Sequence, residues 1–111
     1  MNDALILEHR EYVSVLTFYN PPAHTWTPES LQQLQEIVVG LNSSNSNRAL
    51  VLTGAGDKFF SAGADLQRFQ HRDVAQATDF STAFGDAFKV LSAYQGVSIA
   101  AINGYACLLY T

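Results

Sequence analysis

Residues 50–65 read LVLTGAGDKFFSAGAD, and this stretch decides how the rest of the chain is interpreted. An apolar run ends in Gly-Ala-Gly, and a second group of small residues, SAGAD, follows two phenylalanines. A dinucleotide-binding fingerprint would need a third glycine at position 59 and a helix opening directly after the loop. Position 59 is Phe, and no Gly-Lys-Ser/Thr of a phosphate-binding loop is present. Both nucleotide-binding interpretations are therefore rejected, and Gly54 and Gly56 are interpreted as residues of an ordinary tight turn.

The SAGAD segment points to a different kind of site. Small residues on both sides of Gly63 allow another molecule to approach the backbone closely, and they leave amide N–H groups unshielded. An exposed N–H at such a bend can bind a carbonyl oxygen that gains negative charge during a reaction. The segment therefore predicts a site built from backbone donors.

The surrounding pattern predicts an alternation of strands and helices. ALILEHR and YVSVLTF are typical of an antiparallel hairpin, and Thr27 is a good N-cap for an amphipathic helix over about residues 28–42. ALVLT is interpreted as a strand buried on both faces, residues 74–94 as a second helix, and VSIAAI as another buried strand. This order predicts an α/β architecture with parallel crossovers.

Composition limits the class of protein. The 111 residues predict one domain, 48% of them are hydrophobic, and the net charge of −4 disfavours a nucleic-acid partner. Cys107 is the only cysteine, so neither an internal disulfide nor a zinc site is expected. We predict a cytoplasmic protein without a bound metal, in which Cys107 is buried as a small apolar residue. No apolar run is long enough for a membrane span, and no signal peptide is expected.

Two motifs together resemble the enoyl-CoA hydratase/isomerase (crotonase) superfamily. They are ALVLTGAGDKFFSAGADL and VSIAAINGYA, in that order, and NPPAHTWTPESLQQL matches the family's first loop and helix. The resemblance spans nearly the whole chain. It implies the N-terminal half of a crotonase-like α/β fold, a spiral of β-β-α units, and an acyl-CoA thioester as substrate with no further cofactor.

The resemblance also implies individual site residues. Family members hold an enolate oxygen with two backbone N–H groups, of which the first would come from Ala64. Coenzyme A runs along the same loop, which implicates Ala62, Gly63, Asp65, Leu66 and Gln67 as substrate-binding residues. The loop before the first helix adds Ala23 and His24 as weaker candidates.

The family's second donor lies in a glycine triplet after NGYA, and here this chain departs from the pattern. Residues 108–110 read LLY, which places Leu109 at the donor position. Its N–H is retained, although a bulky side chain would crowd a thioester. The glutamates that act as acid and base in the family's hydratases would lie beyond residue 111, so residues 1–111 are interpreted as a single domain truncated at its C-terminal side.

Three functions remain open at this point. A hydratase adds water to a 2-enoyl-CoA, an isomerase moves the double bond, and a non-catalytic fragment only binds coenzyme A or partner subunits. The uncovered apolar helix faces of a half-domain predict self-association, and the family commonly forms trimers or hexamers. His24 is expected to pack in its loop rather than stack on adenine. Asp65 is expected to cap a helix rather than act in catalysis. Phe80, Phe84 and Phe88 are expected to form either part of the core or a wall for the acyl chain.

Overall fold

The computed structural model describes residues 4–44, 48–65, 74–107 and 109–110. The elements, in chain order, are β1 (Leu5–Arg10), β2 (Val13–Phe18), β3 (Thr25–Trp26), α1 (Pro28–Ser43), β4 (Ala49–Gly54), β5 (Phe59–Ser61), β6 (Gly63–Asp65), α2 (Val74–Ser92), β7 (Ser98–Ala101), β8 (Tyr105–Ala106) and β9 (Leu109–Tyr110). The predicted α/β class, the hairpin, both helices and both long strands are confirmed. Five further strands of two or three residues were not predicted.

The main sheet has four strands in the order β1-β2-β4-β7. The hairpin strands β1 and β2 pair antiparallel from Leu5 opposite Phe18 to Arg10 opposite Val13. Strands β4 and β7 then add in parallel, with helices in the connections. Parallel strands require such crossovers, because a short hairpin can only reverse the chain.

Helix α1 begins as its sequence predicts. The Thr27 side chain accepts a hydrogen bond from Ser30 N at 3.1 Å, and Ser30 Oγ accepts one from Thr27 N at 2.9 Å. This reciprocal capping satisfies two donors that a helix start leaves unpaired. The helix buries one face, formed by Leu31, Leu34, Val38 and Leu41, and packs against α2.

The burial predictions for the strands are wrong in part. Leu50 and Leu52 of β4 are buried, but Val51 and Thr53 between them are only half-buried, so β4 is not covered equally on both faces. Every residue of β7, which is an outer strand of this sheet, is exposed. Cys107, predicted to be buried, is exposed in the same region.

Two small sheets gather the chain around the glycine-rich segment. One has the order β3-β6-β9 and the other pairs β5 with β8. These sheets hold the loop after β2, the SAGAD segment and the last strand side by side. Among the residues described, no helix has the length and apolar character needed to cross a membrane.

Candidate active site

The three-stranded sheet brings the predicted donor residues together. Ala64 lies in the middle strand β6, opposite Trp26 of β3 on one side and Leu109 of β9 on the other. Both pairings are parallel and in register, and neighbouring strands lie about 4.8 Å apart. The two residues that the sequence nominated as backbone donors are therefore direct neighbours, although they are far apart in the chain.

The segment around Ala64 is buried and bent. Ala62 and Ala64 are 1% and 6% exposed. Gly63 between them has φ of +91°, a conformation that residues with a Cβ rarely adopt. This glycine interrupts regular strand geometry directly before Ala64, so the bend predicted at SAGAD is present.

His24 and Ala23 lie beside this bend. The Ala23 carbonyl accepts a hydrogen bond from Ala62 N at 2.9 Å. His24 is 5% exposed, and both ring nitrogens have partners: Nδ1 accepts from Asn20 N at 3.0 Å, and Nε2 donates to Ala55 O at 2.8 Å. Phe18 stacks on the ring at 5.8 Å. His24 is thus a packed loop residue, as favoured over adenine stacking.

Ser61 is a buried polar residue of the site that the sequence analysis missed. Its hydroxyl donates to His24 O at 2.8 Å and accepts from Gly63 N at 3.1 Å. A serine next to small residues gives no periodic signal. The only available cue was a polar side chain directly before Ala-Gly-Ala, because a short side chain there can bond the backbone two residues on.

Gly54 and Gly56 have different structural roles. Gly56 has φ of +80° and serves the predicted turn. Gly54, in contrast, ends β4 where a Cβ would lie 2.6 Å from the carbonyl oxygens of Phe59 and Phe60. Its interpretation as a simple turn residue is therefore wrong, because what Gly54 supplies is close approach of two backbone segments.

Asn103, the first residue of the NGYA motif, ties the glycine loop to the segment that follows β7. Its Nδ2 donates to Gly56 O at 2.9 Å and Phe59 O at 3.3 Å, and its Oδ1 accepts from Gly54 N at 3.0 Å. One side chain thus bonds three backbone groups. The turn after β4 and the start of β5 are held together by this amide.

An aromatic row leads away from Ala64 along α2. Trp26, the register neighbour of Ala64, meets Phe88 edge-on at 5.6 Å. Phe88 stacks on Phe84 at 6.0 Å, and Phe84 stacks on Phe80 at 5.2 Å. Phe80 is 3% exposed and Phe88 is 37% exposed. The row therefore belongs to the core at Phe80 and reaches the surface at Phe88.

The remaining predicted residues are placed only in part. Asp65 ends β6 opposite Tyr110. Leu66 and Gln67 lie outside the described residues, as does the segment on which the predicted cap by Asp65 depends. An open depression of about 730 Å³ is lined by Asp57, Lys58, Gly104 and Tyr105, none of which is a predicted site residue. Across the described residues, no group of three or more His, Cys, Asp or Glu could hold a metal ion.

Comparison with known proteins identifies the family. The sequence profile described as Enoyl-CoA hydratase/isomerase matches residues 8–107. The crotonyl-CoA hydratase of Syntrophomonas wolfei is 32% identical over 103 residues, which cover 92% of this chain and 40% of that relative. This chain belongs to the enoyl-CoA hydratase/isomerase family, which confirms the resemblance found in its motifs.

Solved structures agree with the fold. The structure of Pseudomonas aeruginosa DspI superposes with a TM-score of 0.90 and 45% identity, covering 96% of this chain and 41% of that one. Human mitochondrial delta3-delta2-enoyl-CoA isomerase superposes with a TM-score of 0.84 and 29% identity, covering 92% and 40%. The crotonase-like α/β prediction is thereby confirmed. The chain spans about 40% of the length of the relatives it matches and corresponds to their N-terminal portion.

Proposed function

We propose that this chain carries the thioester-binding part of an enoyl-CoA hydratase-type site. Its central feature is the pair of backbone N–H groups of Ala64 and Leu109, which would hold the thioester oxygen of an acyl-CoA. The observation that carries the proposal is the in-register pairing of these residues on adjacent strands. Neighbours on adjacent strands are close enough for two donors to converge on one oxygen atom.

The chemistry suits backbone donors. In the hydration of a 2-enoyl-CoA, the oxygen of water bonds to C3, a proton is added to C2, and the thioester oxygen carries the negative charge of the enolate in between. An amide N–H stabilises that charge without titrating, and the small side chains of Ala62 and Ala64 leave space for the thioester. Ala23, His24, Gly63, Asp65, Leu66 and Gln67 would line the path of coenzyme A. No cofactor beyond the substrate's own coenzyme A is required.

The acid and base of the reaction are not assigned to residues 1–111. In the family, they are glutamates in a later part of the chain, and this sequence matches about 40% of the length of its relatives. We therefore expect binding of the thioester by these 111 residues to be separable from turnover. This separation distinguishes the hydratase-type proposal from a fragment that only contacts partner subunits.

A double-bond isomerase is the second candidate function. The superposition on human delta3-delta2-enoyl-CoA isomerase at 29% identity supports it. Both reactions pass through an enolate held by the same backbone groups, so the site described above serves either one. The two differ in which substrate is consumed: a 2-enoyl-CoA by the hydratase and a 3-enoyl-CoA by the isomerase.

The experiment measures both substrate binding and turnover, using protein whose intact mass corresponds to residues 1–111. Calorimetry with crotonyl-CoA measures binding, and loss of the enoyl-thioester absorbance measures hydration. We expect crotonyl-CoA to bind more tightly than free coenzyme A, because only the thioester offers the oxygen that Ala64 and Leu109 would hold. Equal affinity for the two, with no turnover, would contradict the proposal. Conversion of a 3-enoyl-CoA would instead select the isomerase.

A pair of substitutions at one position isolates the second donor. Leu109→Pro removes the N–H, whereas Leu109→Gly keeps it and removes the bulky side chain. Loss of one hydrogen bond of about 0.5–1.5 kcal/mol predicts a crotonyl-CoA affinity lower by roughly twofold to tenfold for Leu109→Pro. Leu109→Gly should bind at least as tightly as the parent chain. If both variants bind alike, Leu109 N–H is not a donor.

The proposal extends to a cytoplasmic homo-oligomer without nucleic-acid partners. An exposed Cys107 suits a reducing compartment, and a pI near 5.1 opposes attraction to phosphate backbones. Self-association is supported by the contrast between the two outer strands of the main sheet. Strand β1 carries the exposed pair Glu8 and Arg10, 3.1 Å apart, whereas no charged residue follows Lys89. Uncharged outer strands are prone to pair with other chains.

The test of self-association is a charge placed on β7. Ile99 is 49% exposed, so Ile99→Lys removes exposed apolar surface and adds charge at a residue that is not part of the buried core. We expect sedimentation velocity to show oligomers for the parent chain and a shift toward monomer for the variant. Ile6→Lys on β1, at a residue 45% exposed, is the matched control and should leave the distribution unchanged. A monomeric parent chain would contradict this part of the proposal.

A further inference from the structure

A buried hydrogen-bond chain holds the bend that presents Ala64. Gly63 N donates to Ser61 Oγ at 3.1 Å, and Ser61 Oγ donates to His24 O at 2.8 Å. Since a hydroxyl has a single hydrogen, its use toward the His24 carbonyl leaves the oxygen lone pairs to accept from Gly63. Ser61 therefore fixes which group donates and which accepts in each of these two hydrogen bonds. Ser61 is 6% exposed, so water does not substitute easily for it.

His24 anchors the other end of the chain. Its backbone has φ of +55°, a left-handed conformation that is uncommon without glycine. Ala55 O can only accept, and Asn20 N can only donate, so the ring is neutral with its proton on Nε2. The ring therefore ties the loop before α1 to the turn after β4, and it holds the His24 carbonyl where Ser61 meets it. A sparsely populated backbone conformation persists only where its surroundings determine it.

We propose that Ser61 and His24 are positioning residues for the backbone donor of Ala64. Neither touches the thioester in this proposal. Together they fix the left-handed conformation of Gly63, and through it the direction in which the next N–H points. An oxyanion donor works only when it is aimed at the oxygen before the reaction begins. The inference rests on the proposed function for its catalytic meaning, but its structural content can be tested without a ligand.

The decisive variant is Ser61→Ala, with Ser14→Ala as its matched control. Ser14 is also a buried serine, fully covered, and its hydroxyl lies 2.9 Å from Nδ1 of another histidine, His9, in the β1–β2 hairpin. Both substitutions remove one buried hydroxyl in a His–Ser contact. Only Ser61→Ala removes a partner of the bend at Gly63.

The first readout is amide hydrogen exchange by NMR on the chain without ligand. An unsatisfied buried donor costs on the order of 1–3 kcal/mol, so Ser61→Ala should speed exchange at Gly63 by roughly fivefold to 150-fold more than it speeds exchange of the chain as a whole. Ser14→Ala should change the global rate alone. Equal behaviour of the two variants at Gly63 would overturn the inference.

The second readout separates this inference from the proposed function. Addition of crotonyl-CoA should shift the Ala64 amide resonance in the parent chain, and the shift should shrink in Ser61→Ala at saturating ligand. If the parent chain shows no shift, the proposed function fails, and the exchange comparison still decides the positioning role. If parent and variant show the same shift, the positioning role fails and the proposed function stands.

A milder pair guards against a variant that does not fold. His24→Asn keeps a side chain that tolerates the left-handed conformation, but it is too short to span from Asn20 to Ala55. His9→Asn is its control on the exposed hairpin. Exchange at Gly63 should rise several-fold in His24→Asn and not in His9→Asn. The same rate at Gly63 in both would also overturn the inference.

Discussion

Gly54 offers the sharpest test of how the glycine-rich segment is built. A methyl group at this position would lie 2.6 Å from Phe59 O, 2.6 Å from Phe60 O and 3.0 Å from Phe60 Cα. All three are backbone atoms, so no side chain can rotate away to relieve the contact. Gly54→Ala must push β4 and β5 apart. That displacement would also distort the hydrogen bond that Gly54 N donates to Asn103 Oδ1, whose N···O distance is 3.0 Å.

The magnitude follows from the cost of overpacking. Forcing one extra carbon into a filled site costs about 1–3 kcal/mol, and the value should lie toward the upper end because the clash involves two carbonyl oxygens. In a small domain, each kcal/mol lowers Tm by roughly 4–8 °C. We therefore expect Gly54→Ala to unfold well below the parent chain in temperature and at a lower urea concentration.

The assay is urea unfolding followed by far-ultraviolet circular dichroism, with Gly40→Ala as the control. Gly40 lies in α1, and a methyl group there would meet nothing within 4 Å. An added methyl in an exposed helix stabilises by roughly 0.5–1 kcal/mol, so the control should move the midpoint upward. Opposite signs for the two Gly→Ala variants are the expected result. A Gly54→Ala midpoint at or above that of the parent chain would refute the contact argument.

Two further predictions concern the turns around the site and the hairpin. Asn103→Asp keeps the acceptor for Gly54 N but turns a carboxylate toward the carbonyls of Gly56 and Phe59; we expect a loss of about 1–3 kcal/mol in urea unfolding, and unchanged stability would contradict the role of the amide. Glu11 has φ of +47° in the β1–β2 turn, so Glu11→Asn should raise Tm by a few degrees in a thermal scan, because asparagine tolerates this conformation better. A lower Tm for Glu11→Asn would count against strain at the turn.

The long elements were predictable because their sequences repeat a pattern. The apolar positions of α1 recur at helical spacing, and Thr27-Pro28 marks its start, so its bounds were predicted to within one residue. The short strands carry no such period. Strands β3, β6 and β9 have two or three residues each, and they are strands only because three distant segments pair. Pairing of this kind depends on the tertiary structure and cannot be seen in any one segment.

Burial was the least predictable property, because it depends on what lies on top of a residue. VSIAAI has the composition of a buried strand, yet Val97, Ile99 and Ile102 are 65%, 49% and 64% exposed. Composition shows that these side chains are of types that are usually buried. It does not show which part of a structure covers them, and the described residues leave about half or more of each of these side chains exposed.

The candidate site shows the same division between local and tertiary information. The resemblance to the family's motif implies Ala64 as the first donor, and the small neighbours and the glycine that leave a backbone N–H accessible are visible in the sequence around it. Ser61, His24 and Asn103 act by bonding backbone groups of other segments, at sequence separations of 37, 31 and up to 49 residues. A polar side chain that bonds a distant carbonyl has no characteristic spacing. The small residues and the glycine of SAGAD can therefore be recognised in the sequence, whereas the side chains that bond this backbone segment emerge only from the folded structure.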